Sequence, residues 1–287
     1  MSIRKWKNKQ LISTGLESVV YKITQNNGEE FILKSRKLGG KQNYLFEAYC
    51  LEQLASIGAM VPSVINYSSD HISISIINGS EIDDQRDIYN NKTVFLDIAN
   101  NLALCQNKAF TGFGAPINRN GDFIGEHDSW KDYLASILTL FDTTETETSG
   151  LSAQQIAKIK KYYESNYSDI SLDTGTIVHG DFAMNAIFVD NKKFSGIIDF
   201  GDGLIGDPML DLAYFRFKDI NKDYGNNIYQ NLINNYFNQP KIKKPKDFES
   251  RINLYMIYWG IQRINHCPDD NIRRKFGDKL KIVSDIL

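Results

Sequence analysis

The sequence predicts an α+β chain of two lobes, a small β-rich lobe over residues 1–78 and a larger, mostly helical lobe over residues 79–287. Three observations carry this reading. The N-terminal stretch alternates short apolar runs with polar turns and holds one helical pattern. Beyond Gly79, apolar spacings of three and four dominate, interrupted by one strand–turn–strand pattern over Ile177–Ile198. At 287 residues and 42% hydrophobic content, the chain exceeds a usual single domain and can bury a large core.

In order, Leu11 to Ile23 alternates around Gly15, and Leu16 to Tyr21 continues as strand, which predicts a hairpin. Phe31-Ile32-Leu33-Lys34 is an apolar strand ending on a lysine. Tyr44 to Leu54 has helical spacing, and Glu47 on it is placed to face Lys34, with Glu52 as the competing partner. Val61 to Val64 and Ile72 to Ile77 read as strands leading into Asn78-Gly79, the expected connection between lobes. Ile98 to Gln106 reads as a helix. The glycine-rich stretch Phe110 to Pro116 follows, and Ser129 is placed to cap a helix that Trp130 packs. Asp142 to Thr148, rich in Thr and Glu, reads as an exposed linker. Ile187 to Val189, a turn over Asp190 to Lys193, and Phe194 to Ile198 form the second hairpin, and Ile252 to Asn265 reads as a C-terminal helix.

The chemistry is carried by His179-Gly180-Asp181 and, eighteen residues after its aspartate, Asp199-Phe200-Gly201. Each tripeptide alone is a weak signal; their order, spacing and intervening strand pair make them a strong one. The hairpin is expected to bring the two acids together. Phosphoryl transfer needs one acid to orient and deprotonate an attacking hydroxyl, here Asp181, and another to hold Mg²⁺ against the β and γ phosphates, here Asp199. A Lys34–Glu47 ion pair would steady the α and β phosphates.

These residues resemble the aminoglycoside phosphotransferase family, a branch of the protein-kinase-like fold with His-Gly-Asp in its catalytic loop. The resemblance extends through Gly206-Asp207-Pro208-Met209-Leu210-Asp211-Leu212-Ala213, similar to the family's Gly-Asp-Pro-x-x-Asp-Leu-Ala segment. It implies that Asp211 is buried and braces the catalytic loop; an acid in a first helical turn also complements the helix dipole. A three-glycine loop is absent, and the resemblance gives Ser18 a phosphate contact instead. Adenine would be bound by backbone groups of Ile76, Ile77 and Asn78, with ATP and GTP both open as donors. One position departs from the pattern: the second metal ligand, an asparagine five residues after the catalytic aspartate, is replaced by Ala186, while Asn185 stands four residues after it. Three accounts stay open: Asn185 or a water takes the ligand's place, the chain is a weakened or inactive kinase, or Ala186 is an engineered substitution.

The resemblance implies transfer to a hydroxyl of an aminoglycoside or aminocyclitol antibiotic, and so a resistance enzyme. The alternatives are a kinase of a small metabolite (a choline-like amine, a thio-sugar or a homoserine-like acceptor) and a nucleotide-binding pseudokinase, motivated by Ala186. A polycationic acceptor needs carboxylates; the candidates are Asp202, Glu126, Asp128, Asp269 and Asp270, with Tyr255 and Trp259 as a sugar-binding wall or as core. The near-neutral charge of −2 argues against a nucleic-acid partner, and Lys241 to Lys246 reads as a solvated loop. No run approaches the ~18 apolar residues of a spanning helix, and Met1 to Lys7 has no apolar core behind its charges, so a cytoplasmic protein, monomeric or weakly dimeric, is expected. Cys50, Cys105 and Cys267 lack metal-like spacing, and His71, His127 and His266 are scattered, so no zinc site is implied.

Overall fold

The computed structural model describes residues 6–287. Its first elements are β1 (Asn8–Thr14), β2 (Ser18–Thr24), β3 (Glu30–Arg36), α1 (Tyr44–Ser56), β4 (Val64–Tyr67), β5 (His71–Ile74) and β6 (Ser80–Glu81). Then come α2 (Lys92–Leu104), the hairpin β7 (Phe113–Arg119) and β8 (Asp122–His127), and the helices α3 (Trp130–Ala135), α4 (Leu138–Asp142), α5 (Thr146–Ser149) and α6 (Ala153–Asn166). The chain continues through β9 (Thr176–Val178), β10 (Ile187–Asp190), β11 (Lys193–Ile197) and β12 (Leu204–Gly206). It closes with α7 (Met209–Asp219), α8 (Gly225–Phe237), α9 (Phe248–His266) and α10 (Asp270–Ile286).

Packing groups these elements into two units. The first contains the described residues up to Ile88 together with Met184–Gly203. Its main sheet is five-stranded in the order β1-β2-β3-β5-β4, and all its pairs are antiparallel. Alternation along β3 puts Phe31 and Leu33 into a small cluster with Ile23 and Tyr21. Helix α1 starts at Asn43, whose side chain accepts from the Phe46 amide, and buries Phe46, Glu47, Cys50, Leu51 and Leu54. A second sheet, in the order β11-β10-β6, holds the second hairpin.

That second sheet changes the expected division of the chain. The sequence suggested one boundary after Asn78, with the hairpin in the larger lobe. Instead Ser80 pairs with Val189 and Glu81 with Phe188, so the hairpin packs with the N-terminal strands. Gly79 permits this approach: its φ is +96° and a Cβ there would run into the Val189 carbonyl. Gly79→Ala should therefore destabilise the fold by at least about 2 kcal/mol, because left-handed strain and overpacking add. An unchanged urea midpoint would refute this.

The second unit contains Tyr89–Ala183 and Leu204–Leu287. A four-stranded sheet, β8-β7-β12-β9, lies beside helices of which α9 is apolar and buried all round over residues 254–261, as expected of a central helix. The glycine-rich stretch leads into β7, where Gly114 (φ +89°) lies against the Tyr133 ring. Ser129 caps α3 by accepting from the Asp132 amide at 3.1 Å, and Trp130 is buried. The linker expected over Asp142 to Thr148 is instead partly helical: α5 ends at Gly150 (φ +70°), and Gly277 of α10 backs onto Ser149, which buries it. The three cysteines are buried and unbridged. Among the described residues, no helix is long and apolar enough to cross a membrane.

Candidate active site

In the first unit, β3 and α1 bring Lys34 and Glu47 together as the spacing suggested. Lys34 Nζ donates to Glu47 Oε1 and to Asp199 Oδ1, both at 2.6 Å. Glu52, the competing partner, is exposed. Lys34 is 6% exposed; burial opposes its charge, but Asp199 and then Glu47 outweigh burial and raise its pKa, so it stays an ammonium. Asp199 is solvent-accessible, and its φ of +71° is a strained, left-handed conformation for a residue with a side chain, of the kind that collects at functional sites.

The β10–β11 ladder continues to a bond from the Ile198 amide to the Ala186 carbonyl at 2.9 Å. Asn185 and Asp199 are the next residues out on the two chains leaving that bond. Asn185 is exposed, whereas Ala186 is buried. Ser18 opens β2, and its carbonyl accepts from the Gly15 amide, closing the β1–β2 turn. Ile76 follows β5, and the Asn78 carbonyl accepts from the Ser195 hydroxyl at 2.8 Å.

In the second unit, the loop after β9 carries His179, Gly180 and Asp181. Asp211 of α7 is 2% exposed and accepts from the His179 amide at 2.8 Å and the Gly180 amide at 3.0 Å. Burial pushes its carboxyl up to about 6, against the pull of His179 and these two amides. The Asp181 amide donates to His179 Nδ1 at 3.2 Å, which makes Nδ1 the unprotonated nitrogen, and Gly180 at φ +83° lets the loop turn. Arg263 of α9 reaches Asp181 Oδ1 at 2.9 Å.

The preceding acid, Asp207, ties α7 to α9. It accepts from the Met209 amide, from Arg251 at 2.8 Å and from the Tyr255 hydroxyl at 2.7 Å, and Trp130 Nε1 donates to that same hydroxyl. Tyr255 and Trp259 are therefore core rather than a sugar-binding wall: both are buried, and Trp259 Nε1 is committed to the Leu210 carbonyl at 3.0 Å. Asp269 and Asp270 also hold local structure. Asp269 caps α10, accepting from the Asn271 and Ile272 amides, and Asp270 pairs with Arg273 at 3.1 Å. Asp202, Glu126 and Asp128 are exposed, Glu126 being 3.2 Å from His127 Nε2.

Sequence reasoning missed Arg263 and Arg251. Tyr255, Trp259 and Arg263 follow one another at helical spacing, which could have flagged the arginine as facing inward. Nothing local, however, ties it to an aspartate 82 residues earlier.

Mg²⁺ fits the donors present. It takes one or two carboxylates and fills its remaining positions with phosphate and water oxygens. Asp199 and Asn185 offer hard oxygens on accessible side chains, and Ala186 offers none. Among the described residues, no cluster of three or more His, Cys, Asp or Glu forms an all-protein cage.

A β-sheet with a buried Lys–Glu pair, an Asp-Phe-Gly turn and a braced His-Gly-Asp loop are the parts of a protein-kinase-like phosphotransferase. Residues 10–245 match the phosphotransferase enzyme family, and the chain belongs to it. By that membership it is an enzyme of a phosphotransferase family. The chain is 26% identical over 115 residues to a curated relative, hygromycin-B 4-O-kinase of Escherichia coli; the match covers 37% of this chain and 30% of the relative's length. A solved structure of a thermostable mutant of aminoglycoside phosphotransferase APH(4)-Ia, in ternary complex with AMP-PNP and hygromycin B, superposes with a TM-score of 0.77 at 17% identity, covering 99% of this chain and 95% of that one. A putative fructosamine-3-kinase from Thermobifida fusca gives 0.69 at 13% identity, with 99% and 95% covered. These likenesses show the fold. The first structure carries an asparagine-to-alanine substitution five positions after the aspartate replaced in a second structure of the same protein, the spacing that separates Ala186 from Asp181.

Proposed function

We propose that the chain transfers the γ-phosphoryl group of ATP or GTP to a hydroxyl of an aminoglycoside- or aminocyclitol-type antibiotic, conferring resistance, and acts in the cytoplasm as a monomer or weak dimer. The observation that carries the phosphoryl-transfer reading is Lys34, buried and charged between Glu47 and Asp199. The antibiotic reading draws on the curated relative and on the substrate named for the solved neighbour.

In this reading Lys34 holds the α and β phosphates while Glu47 keeps its ammonium aimed. Ser18 covers the phosphates, and backbone groups of Ile76 to Asn78 receive the base. Asp199 and Asn185 would hold Mg²⁺, which when bound neutralises charge on the phosphate oxygens. Asp181 orients the acceptor hydroxyl and takes its proton as the new P–O bond forms and the nucleoside diphosphate departs with the electrons of the bond it loses. Asp211 keeps the loop of Asp181 in shape. All five carboxylates expected to receive acceptor ammonium groups are exposed; Glu126 lies 3.2 Å from His127 Nε2, and Asp269 and Asp270 are engaged in α10.

Ala186 favours a second reading, a nucleotide-binding module without turnover. That the alanine-substituted neighbour was solved with AMP-PNP and hygromycin B bound supports ligand binding despite an alanine at this spacing. Mg²⁺-dependent ADP release across aminoglycosides, aminocyclitols and small amino alcohols separates the readings. Acceptor-stimulated release is expected, rising about tenfold or more in Ala186→Asn if a hard ligand is restored. Tight nucleotide binding with no stimulation in either protein would establish the binding module, and stimulation by the amino alcohols alone would make it a metabolite kinase.

A further inference from the structure

Arg263 is the side chain that fixes the carboxylate of Asp181. Its Nη2 donates to Asp181 Oδ1 at 2.9 Å and to the Gly180 carbonyl at 3.3 Å. The guanidinium lies over the Tyr214 ring, 5.2 Å from its centroid, and over the Trp259 ring, 5.5 Å away. Trp259 is pinned in turn by its bond to the Leu210 carbonyl. The arginine is thus seated on aromatic faces from α7 and α9, and the pair is about three-quarters buried on both sides. A pair so placed is held in one geometry, unlike a surface ion pair between two mobile chains.

The amides of the loop are all taken without it. Asp211 takes the amides of residues 179 and 180, and His179 Nδ1 takes that of residue 181. None of these bonds sets the direction of the Asp181 side chain. Arg263 does, through a single Nη2–Oδ1 bond from a rigid, planar guanidinium whose own direction is set by the two aromatic rings. The charged and titratable groups around Asp181 are therefore Arg263 from α9, His179 of its own loop and Asp211 from α7.

We propose that Arg263 is a positioning residue for the reaction: by holding Oδ1 of Asp181 it presents Oδ2 to the acceptor hydroxyl. This rests on the role assigned to Asp181 above. Misplacing a reacting group by about 1 Å costs up to ~10²-fold in rate. Arg263→Gln is therefore expected to lower acceptor-stimulated kcat by about 10–100-fold with nucleotide affinity unchanged, and Arg263→Lys, which keeps the charge without the planar guanidinium, to recover part of the loss. In an Asp181→Asn background Arg263→Gln should have little further effect, because the residue acts through that carboxylate. Thermal melting of the wild type, the two single variants Arg263→Gln and Asp181→Asn, and their double variant needs no acceptor: Arg263→Gln should lower Tm by about 2 °C more in the wild-type background than in Asp181→Asn. Unchanged kcat in Arg263→Gln, or the same loss in both backgrounds, would overturn the proposal. Should no acceptor stimulate turnover, the functional reading fails separately; melting then decides for Arg263, with non-additive losses supporting the coupling and additive losses refuting it.

Discussion

Asp181→Asn is expected to lower acceptor-stimulated turnover by about 10²–10⁴-fold while leaving nucleotide affinity nearly intact. The substitution is close to isosteric, and the backbone bonds around it do not depend on its charge, although the ion pair with Arg263 becomes a neutral hydrogen bond. The amide of residue 181 still reaches His179 Nδ1, and Asp211 still takes the two amides before it. Arg263 can donate to a carboxamide oxygen as it does to Oδ1. What disappears is the oxygen that accepts the hydroxyl proton. Steady-state kinetics paired with nucleotide titration checks this, and an Asn variant with full kcat would remove Asp181 from the reaction.

Asp199→Asn should also lower turnover, by about 10²–10³-fold, and unlike the first substitution it should weaken Mg²⁺-dependent nucleotide binding. Asparagine is the informative replacement because it tolerates the left-handed backbone that this position adopts at φ +71°. The fold should survive, since Lys34 keeps Glu47 at 2.6 Å as a partner for its buried ammonium. Nucleotide binding titrated with and without Mg²⁺ separates the metal role from general damage. A variant whose binding responds to Mg²⁺ as the wild type does would deny Asp199 that role.

The sequence made the local parts legible. Period-two runs gave the two hairpins, and helical spacing left Glu47 and Glu52 as partners for Lys34, with the family resemblance favouring Glu47. The Gly-Asp-Pro segment located Asp211, although Asp207, which ties α7 to α9 through Arg251 and Tyr255, gave no sign of doing so. What stayed hidden depends on contacts between distant positions. The hairpin joins the N-terminal strands through a two-residue strand, β6, far too short to carry a pattern of its own. Tyr255 and Trp259 could not be told from a binding wall because α9 is buried on nearly every side, so its periodicity marks no outward face. Asp269 and Asp270 looked like available acids because a cap and an intrahelical pair are settled by backbone placement, not by residue type.

The central claim is that a phosphoryl group moves from nucleotide to a hydroxyl of a small molecule. It is tested most directly by incubating the wild-type protein with ATP, Mg²⁺ and each acceptor, then examining the acceptor by mass spectrometry and ³¹P NMR. The expected result is an acceptor heavier by one phosphoryl group, with a phosphate-monoester resonance that is absent for Asp181→Asn. Release of free phosphate with every acceptor recovered unmodified would contradict the claim.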